Sequence, residues 1–209
     1  MPSVNTRVFF SKMDRAKYIS HLDLNHCVQR AMRRSRLPIW QTEGFNPHTY
    51  VAFMLPLSLG QEGVCEAMDF RITEDVSPEE VMRRLNESLP PDIRVIRVAA
   101  PKYKNTDIVS AEYHIESDVD VAKFREFTDS EQILTEKKTK KGVSTVDLKP
   151  LISELSFDDG ITLRLPAGND FNINPALLFE AYRNTTGEKI DRLRIVRTRI
   201  FCSDGNEFC

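Results

Sequence analysis

Two of the four histidines in this 209-residue chain sit where an imidazole has work to do. His21 follows Ser20 at the head of a predicted helix, and His48 closes the segment Glu43-Gly44-Phe45-Asn46-Pro47-His48. An unperturbed imidazole titrates close enough to neutrality to accept or donate a proton, so the pair suits the base and acid of metal-independent RNA cleavage. The plainer reading makes His21 a neighbour of a helix cap and His48 a turn residue bonded to backbone, since no third catalytic partner is evident.

A second chemistry is anion binding. Residues 1–40 carry eight Lys and Arg against Asp14 and Asp23, and residues 183–199 carry six against Glu188 and Asp191. The whole chain has a net charge of -2, so two basic segments stand out from an acidic body. Lys12, Arg30, Arg33 and Arg34 could follow a phosphate backbone from the first segment, and Arg192, Arg194, Arg197 and Arg199 from the second. Solvated charge is the ordinary explanation of such a helix face. The terminal arginines fall on two parities, and a bulge near Ile195-Val196 would bring all four to one face. Like charges so arranged repel, which argues against a purely structural reason for them. Phe45 is read either as displayed for stacking or as buried to staple its loop to the core, with Gly44 permitting a positive φ and Asn46-Pro47 turning the chain.

Metal and cluster chemistry is not expected. Cys27, Cys65, Cys202 and Cys209 form no CxxC pattern, so neither zinc, an iron–sulfur cluster nor any other cofactor is implied, and the cysteines read as free thiols of a reducing compartment. No apolar run approaches a membrane span and the opening MPSVNTRVFF lacks the regions of a signal peptide; a cytoplasmic protein is expected.

The elements that must position these residues alternate between strand and helix. Thr6–Ser11 reads as a strand. Ser20 and Asp23 form a capping box, and Leu24, Cys27, Val28, Ala31 and Met32 recur as one buried stripe with Arg30 and Arg33 opposite. Leu37-Pro38 ends that helix. Strands are expected at Pro38–Thr42, Tyr50–Leu55 and Val64–Thr73, a helix from Ser77-Pro78, and a strand at Ile93–Val98. Pro101–Asp107 reads as a linker. Beyond it come a strand at Ala111–Glu116, a helix at Val119–Phe127, a hairpin of Gln132–Lys137 with Val143–Leu148 across the turn Lys138–Gly142, and a strand at Ile161–Leu165. Asn174-Pro175 opens a helix through Tyr182, and Ile190–Phe201 is a closing strand. The fold class is α+β: two ferredoxin-like βαββαβ halves in tandem, residues 1–100 and 108–209, with antiparallel sheets and helices on one face.

Phe10-Ser11-Lys12, Tyr18 to Leu24, Glu43 to His48, Leu55 to Gly60 and Glu66 to Asp69, with Val146-Asp147-Leu148, Asn174-Pro175 and Arg197-Thr198 further on, resemble the radical-SAM-linked family of unknown function. Members of that family stand free or form the tails of radical SAM proteins with a cobalamin-binding domain; this copy is expected to be free-standing. The resemblance implies a radical SAM protein as partner and hands over no activity. Tandem ferredoxin-like halves with a basic cleft also resemble the repeat-associated RNA endonucleases of bacterial immunity. Their glycine-rich loop near the C-terminus is missing, and Asp204-Gly205-Asn206 is no substitute. The leading expectation is therefore a non-catalytic, auxiliary module binding RNA or another anionic macromolecule. The alternatives are a ribonuclease using His21 and His48, and a protein-interaction subunit whose arginines meet an acidic partner.

Overall fold

Every position from Thr6 to Phe10 is buried, so β1 (Val4–Lys12) is covered on both faces. A computed structural model describes residues 3–139 and 142–208. After β1, α1 (His21–Ser35) begins where local chemistry places it: the Ser20 hydroxyl oxygen accepts from the Asp23 amide at 3.1 Å and its proton goes to the Asp23 carboxylate at 2.7 Å. Leu24, Val28, Ala31 and Met32 are buried as the spacing predicts, and the helix stops on Arg36 in the left-handed region at φ 55. The strands expected at Pro38–Thr42 and Tyr50–Leu55 shrink to isolated bridges, Ile39 with Ile72 and Gln41 with Thr49, and to the two-residue β2 (Ala52–Phe53). Pro38 and Pro56 remove backbone donors at the two ends of this region, which limits how far a ladder can run.

β3 (Glu62–Ile72), α2 (Pro78–Ser88) and β4 (Ile93–Ala99) complete the first half. Ser77 caps α2, its hydroxyl oxygen accepting from the Glu80 amide at 3.3 Å. The second half runs β5 (Ile108–Ser117), α3 (Val121–Thr128), the hairpin β6 (Leu134–Thr139) and β7 (Gly142–Asp147), β8 (Glu154–Ser156), β9 (Ile161–Pro166), α4 (Ala176–Thr186) and β10 (Leu193–Cys202). The hairpin turn expected at 138–142 lies partly outside the described residues. The three-residue β8 has no clear sequence signal.

The protein is a mixed α+β fold. Its main sheet has eight strands in the order β4-β1-β3-β10-β5-β9-β8, with β2 also on β3. Neighbours are antiparallel except β3 and β10, which pair in parallel through Val196 with Glu62 and Arg197 with Gly63. That junction exists because β2 is so short. It covers only Met68 and Asp69 of β3, leaving the Glu62-Gly63 end of the same edge open to β10. One sheet thus crosses both halves.

Register carries one face across the seam. Phe10 and Val8 pack with α1 and α2, Lys12 lies opposite Gly63, Gly63 beside Arg197, and Arg197 opposite Tyr113, which packs with α3 and α4. The other face of the first half is capped by the chain end. The Phe208 amide donates to Ile200 at 2.8 Å, and the buried Phe208 ring lies under the Arg7 guanidinium, 4.5 Å away. No helix among the described residues is long and apolar enough to cross a membrane.

Candidate functional site

The segment Glu43–His48 is a braced loop rather than a slack connection. The Thr42 amide donates to the His48 carbonyl at 2.9 Å, the His48 amide donates to the Thr42 hydroxyl at 3.0 Å, and His48 Nδ1 lies 2.9 Å from that hydroxyl and 3.2 Å from the Asn46 carbonyl. Gly44 takes φ +124, a conformation that side chains with a Cβ rarely adopt. At the apex Phe45 is fully exposed, so it does not staple the loop to the core. The loop is tied to α1 through Gln29, whose amide donates to the Thr49 carbonyl at 3.1 Å. Arg33, one helical turn beyond Gln29, shares that side of the helix. Arg30 and Arg33 are exposed; Arg34 is exposed too, with one guanidinium nitrogen on the Ser88 carbonyl at 2.6 Å.

His21 is anchored elsewhere. Its ring packs edge-on against Phe53, with centroids 5.1 Å apart, in the first turn of α1. Gln29, which holds the base of the His48 loop, lies eight residues on, a rise of about 12 Å. Each imidazole is therefore held by its own partners at a different level of the helix. Partial burial against Phe53, then the nearby Lys12 cation, lower the pKa of His21 below its ordinary 6.5. A histidine with a depressed folded-state pKa favours folding most when neutral, so its contribution is complete above about pH 6.5 and is lost as the pH falls through the lower folded-state value. His21→Gln is expected to flatten the decline in urea midpoint between pH 7.5 and pH 5; an unchanged pH profile would remove His21 as its source.

Lys12 and the terminal-strand arginines meet a different fate from the expected open basic surface. Lys12 is 2% exposed, its ammonium 3.5 Å from the Lys17 carbonyl, and burial lowers its pKa against the pull of Glu66. Arg197 is 2% exposed and donates to both carboxylate oxygens of Glu66, by Nε at 2.9 Å and by Nη2. Its remaining donors reach the carbonyls of Leu55 at 2.9 Å and Pro56 at 3.4 Å. Glu62, also buried, accepts from Arg194 at 2.5 Å and from the Asp14 amide at 2.7 Å. Arg194 also pairs with Glu116, and Arg199 with Glu112 and Glu207. The register of β10 against β5 breaks between Arg197 and Arg199 and again between Phe201 and Cys202, not near Ile195-Val196, so Arg197 and Arg199 point to opposite faces. Arg192 is exposed, and the Asp118 carboxylate accepts from its backbone amide at 3.2 Å.

These contacts make the seam an internal ionic junction. The segment Leu55–Gly60 is held at both ends, by Arg197 on its first carbonyls and by the Gly60 amide on the Lys17 carbonyl at 2.8 Å. Gln61 donates to Asn174 at 2.7 Å, and that same Asn174 oxygen accepts from the Ala176 amide at the start of α4. Gly63 is required here, because a Cβ would stand 2.1 Å from Glu66 Oε1. Among the described residues no group of three His, Cys, Asp or Glu is placed to hold a metal ion. Of the sequence-predicted site residues, Phe45, Arg30, Arg33 and Arg34 are among those left exposed.

Residues 5–179 match the family described as "Uncharacterized protein conserved in bacteria (DUF2344)". The chain belongs to that family. No curated protein matches it. The span shared with this DUF2344 family takes in the braced loop, α1, Glu62, Glu66 and Asn174, while Arg194 and Arg197 lie past its end.

Sequence reasoning did not single out Glu62 as a partner of Arg194, or Arg7, whose guanidinium is buried beside Asp69. A usable signal was present in β1, where a charge at Arg7 or Lys12 inside a run as apolar as Val8-Phe9-Phe10 demands a buried counter-charge.

Proposed function

We propose that this protein is an auxiliary binding module for RNA or another anionic macromolecule, working with a radical SAM protein. The observation that carries the proposal is Phe45: a fully exposed aromatic on a loop braced by His48 and tied to the arginine face of α1. A ring offered to solvent on a stiff support costs little further order on binding, and every base has a face to stack on it. In this reading Arg33, on the side of α1 to which the loop is tied, and Arg30 on the same helix meet phosphates beside the stacked base. The radical SAM partner is supported by the family resemblance of the segments that build the loop and the seam.

The test is a titration of the purified chain with fluorescent single-stranded RNA across a salt series. Binding whose logarithm falls linearly with the logarithm of salt concentration is expected. Absent or salt-insensitive binding overturns the RNA reading. Affinity capture from the native cell after nuclease treatment is expected to bring down a radical SAM protein, and its absence would remove that partner.

A further inference from the structure

On the helix-free face of the first half, a cavity of about 360 Å³ opens between β1, β2, β3 and the connection to the second half. Its size falls within the usual range of small-molecule sites. Arg7 lines it and is 1% exposed. Its Nε and Nη2 donate to the two Asp69 carboxylate oxygens at 2.7 and 2.8 Å, Nη2 also lies 3.3 Å from Met54 Sδ, and its plane covers Phe208. Nη1 is buried and has no hydrogen-bond partner among the described residues. An unsatisfied nitrogen on a buried guanidinium is costly, and buried polar groups in folded proteins are nearly always paired.

The rest of the lining indicates what the cavity would take. Arg71 and Lys104 add two cations, while Asp69, the one carboxylate among the described lining residues, is already engaged by Arg7. Tyr50 and Tyr103 supply aromatic rings, and Tyr103 is steadied by its hydroxyl on Asp204 at 3.1 Å. Cations of this kind select phosphate, and the tyrosines select a flat ring. We propose that the cavity binds a nucleoside monophosphate, the base lying against the tyrosines and the phosphate taken by Arg71 and Lys104 beside the buried Arg7 guanidinium. This site lies on the face of the sheet opposite α1 and does not depend on the RNA-binding reading.

The full chain reports on its own site. Trp40 is its single tryptophan, and the Arg71 guanidinium lies 5.1 Å from that ring, so a ligand that draws Arg71 away alters its fluorescence. The experiment titrates the protein with AMP, adenosine and inorganic phosphate, followed by Trp40 fluorescence and by calorimetry. Saturable AMP binding is expected, at least about tenfold tighter than adenosine or phosphate, and weakened about tenfold in Lys104→Ala and in Tyr50→Ala. Tyr50 and Lys104 are exposed, so these variants keep the fold where Arg7→Ala would endanger it. Absence of AMP binding by calorimetry, equal affinity for adenosine, or unchanged affinity in both variants overturns the proposal.

Discussion

Arg197→Ala is expected to lower folding stability by about 3–5 kcal/mol, the cost of leaving one member of a buried ion pair alone. Against the roughly 5–15 kcal/mol that holds a typical domain together, this is enough to leave a large unfolded fraction. Three losses combine. Glu66 is left in a buried site with its main partner gone, and it cannot swing toward Gly63, over which it already lies. The carbonyls of Leu55 and Pro56 lose their donors, releasing the segment that fills the seam. The parallel contact of β3 with β10, only two residue pairs long, loses the side chain that ties its strands together. Urea denaturation followed by circular dichroism measures the loss. The double variant Arg197→Met with Glu66→Met is expected to recover part of it, because matched apolar side chains often replace a buried pair at little cost. Recovery is incomplete, since Lys12 also relies on the Glu66 charge. A loss below about 1 kcal/mol in Arg197→Ala would put the pair in the class of exposed ion pairs and dismiss the junction.

The same arginine shows why parts of this fold were legible and others were not. α1 and α2 could be located because their starts depend on neighbours three residues away: Ser20 with Asp23, and Ser77 with Glu80. β10 could be located as a strand, but not its meaning, because Arg197 finds Glu66 across 131 residues and Arg194 finds Glu62 across 132. On its own sequence the strand looks like repelling positive charge; in the sheet, Arg194 lies opposite Glu116 and Arg199 opposite Glu112, cross-strand pairs that attract. Pairing between distant strands also decided the fate of Pro38–Thr42, which has strand-like composition but gains only single bridges. The braced loop was the most readable part of the candidate site. Gly44, Asn46-Pro47 and His48 act within a few residues of one another, whereas the choice between a buried and a displayed Phe45 depends on whether any distant surface arrives to cover it.

Phe45→Ala is expected to weaken single-stranded RNA binding by about 1–3 kcal/mol, the range for one base stacked on an aromatic ring. Because the ring is fully exposed, its removal leaves the urea midpoint unchanged, and the loss belongs to binding alone. Electrostatics separates this effect from that of the arginines. Stacking carries no net charge, so Phe45→Ala shifts the whole salt-dependence line downward without changing its slope. Arg33→Glu removes a phosphate contact and flattens that slope by about one unit. Both variants are measured by anisotropy with a fluorescent oligonucleotide over the same salt series. If Phe45 instead anchored a protein, Phe45→Ala would release the captured partner and leave RNA affinity untouched, since a central aromatic anchor carries much of the energy of a protein interface. Unchanged RNA affinity in Phe45→Ala would therefore end the stacking proposal and transfer the loop to the protein-interaction role.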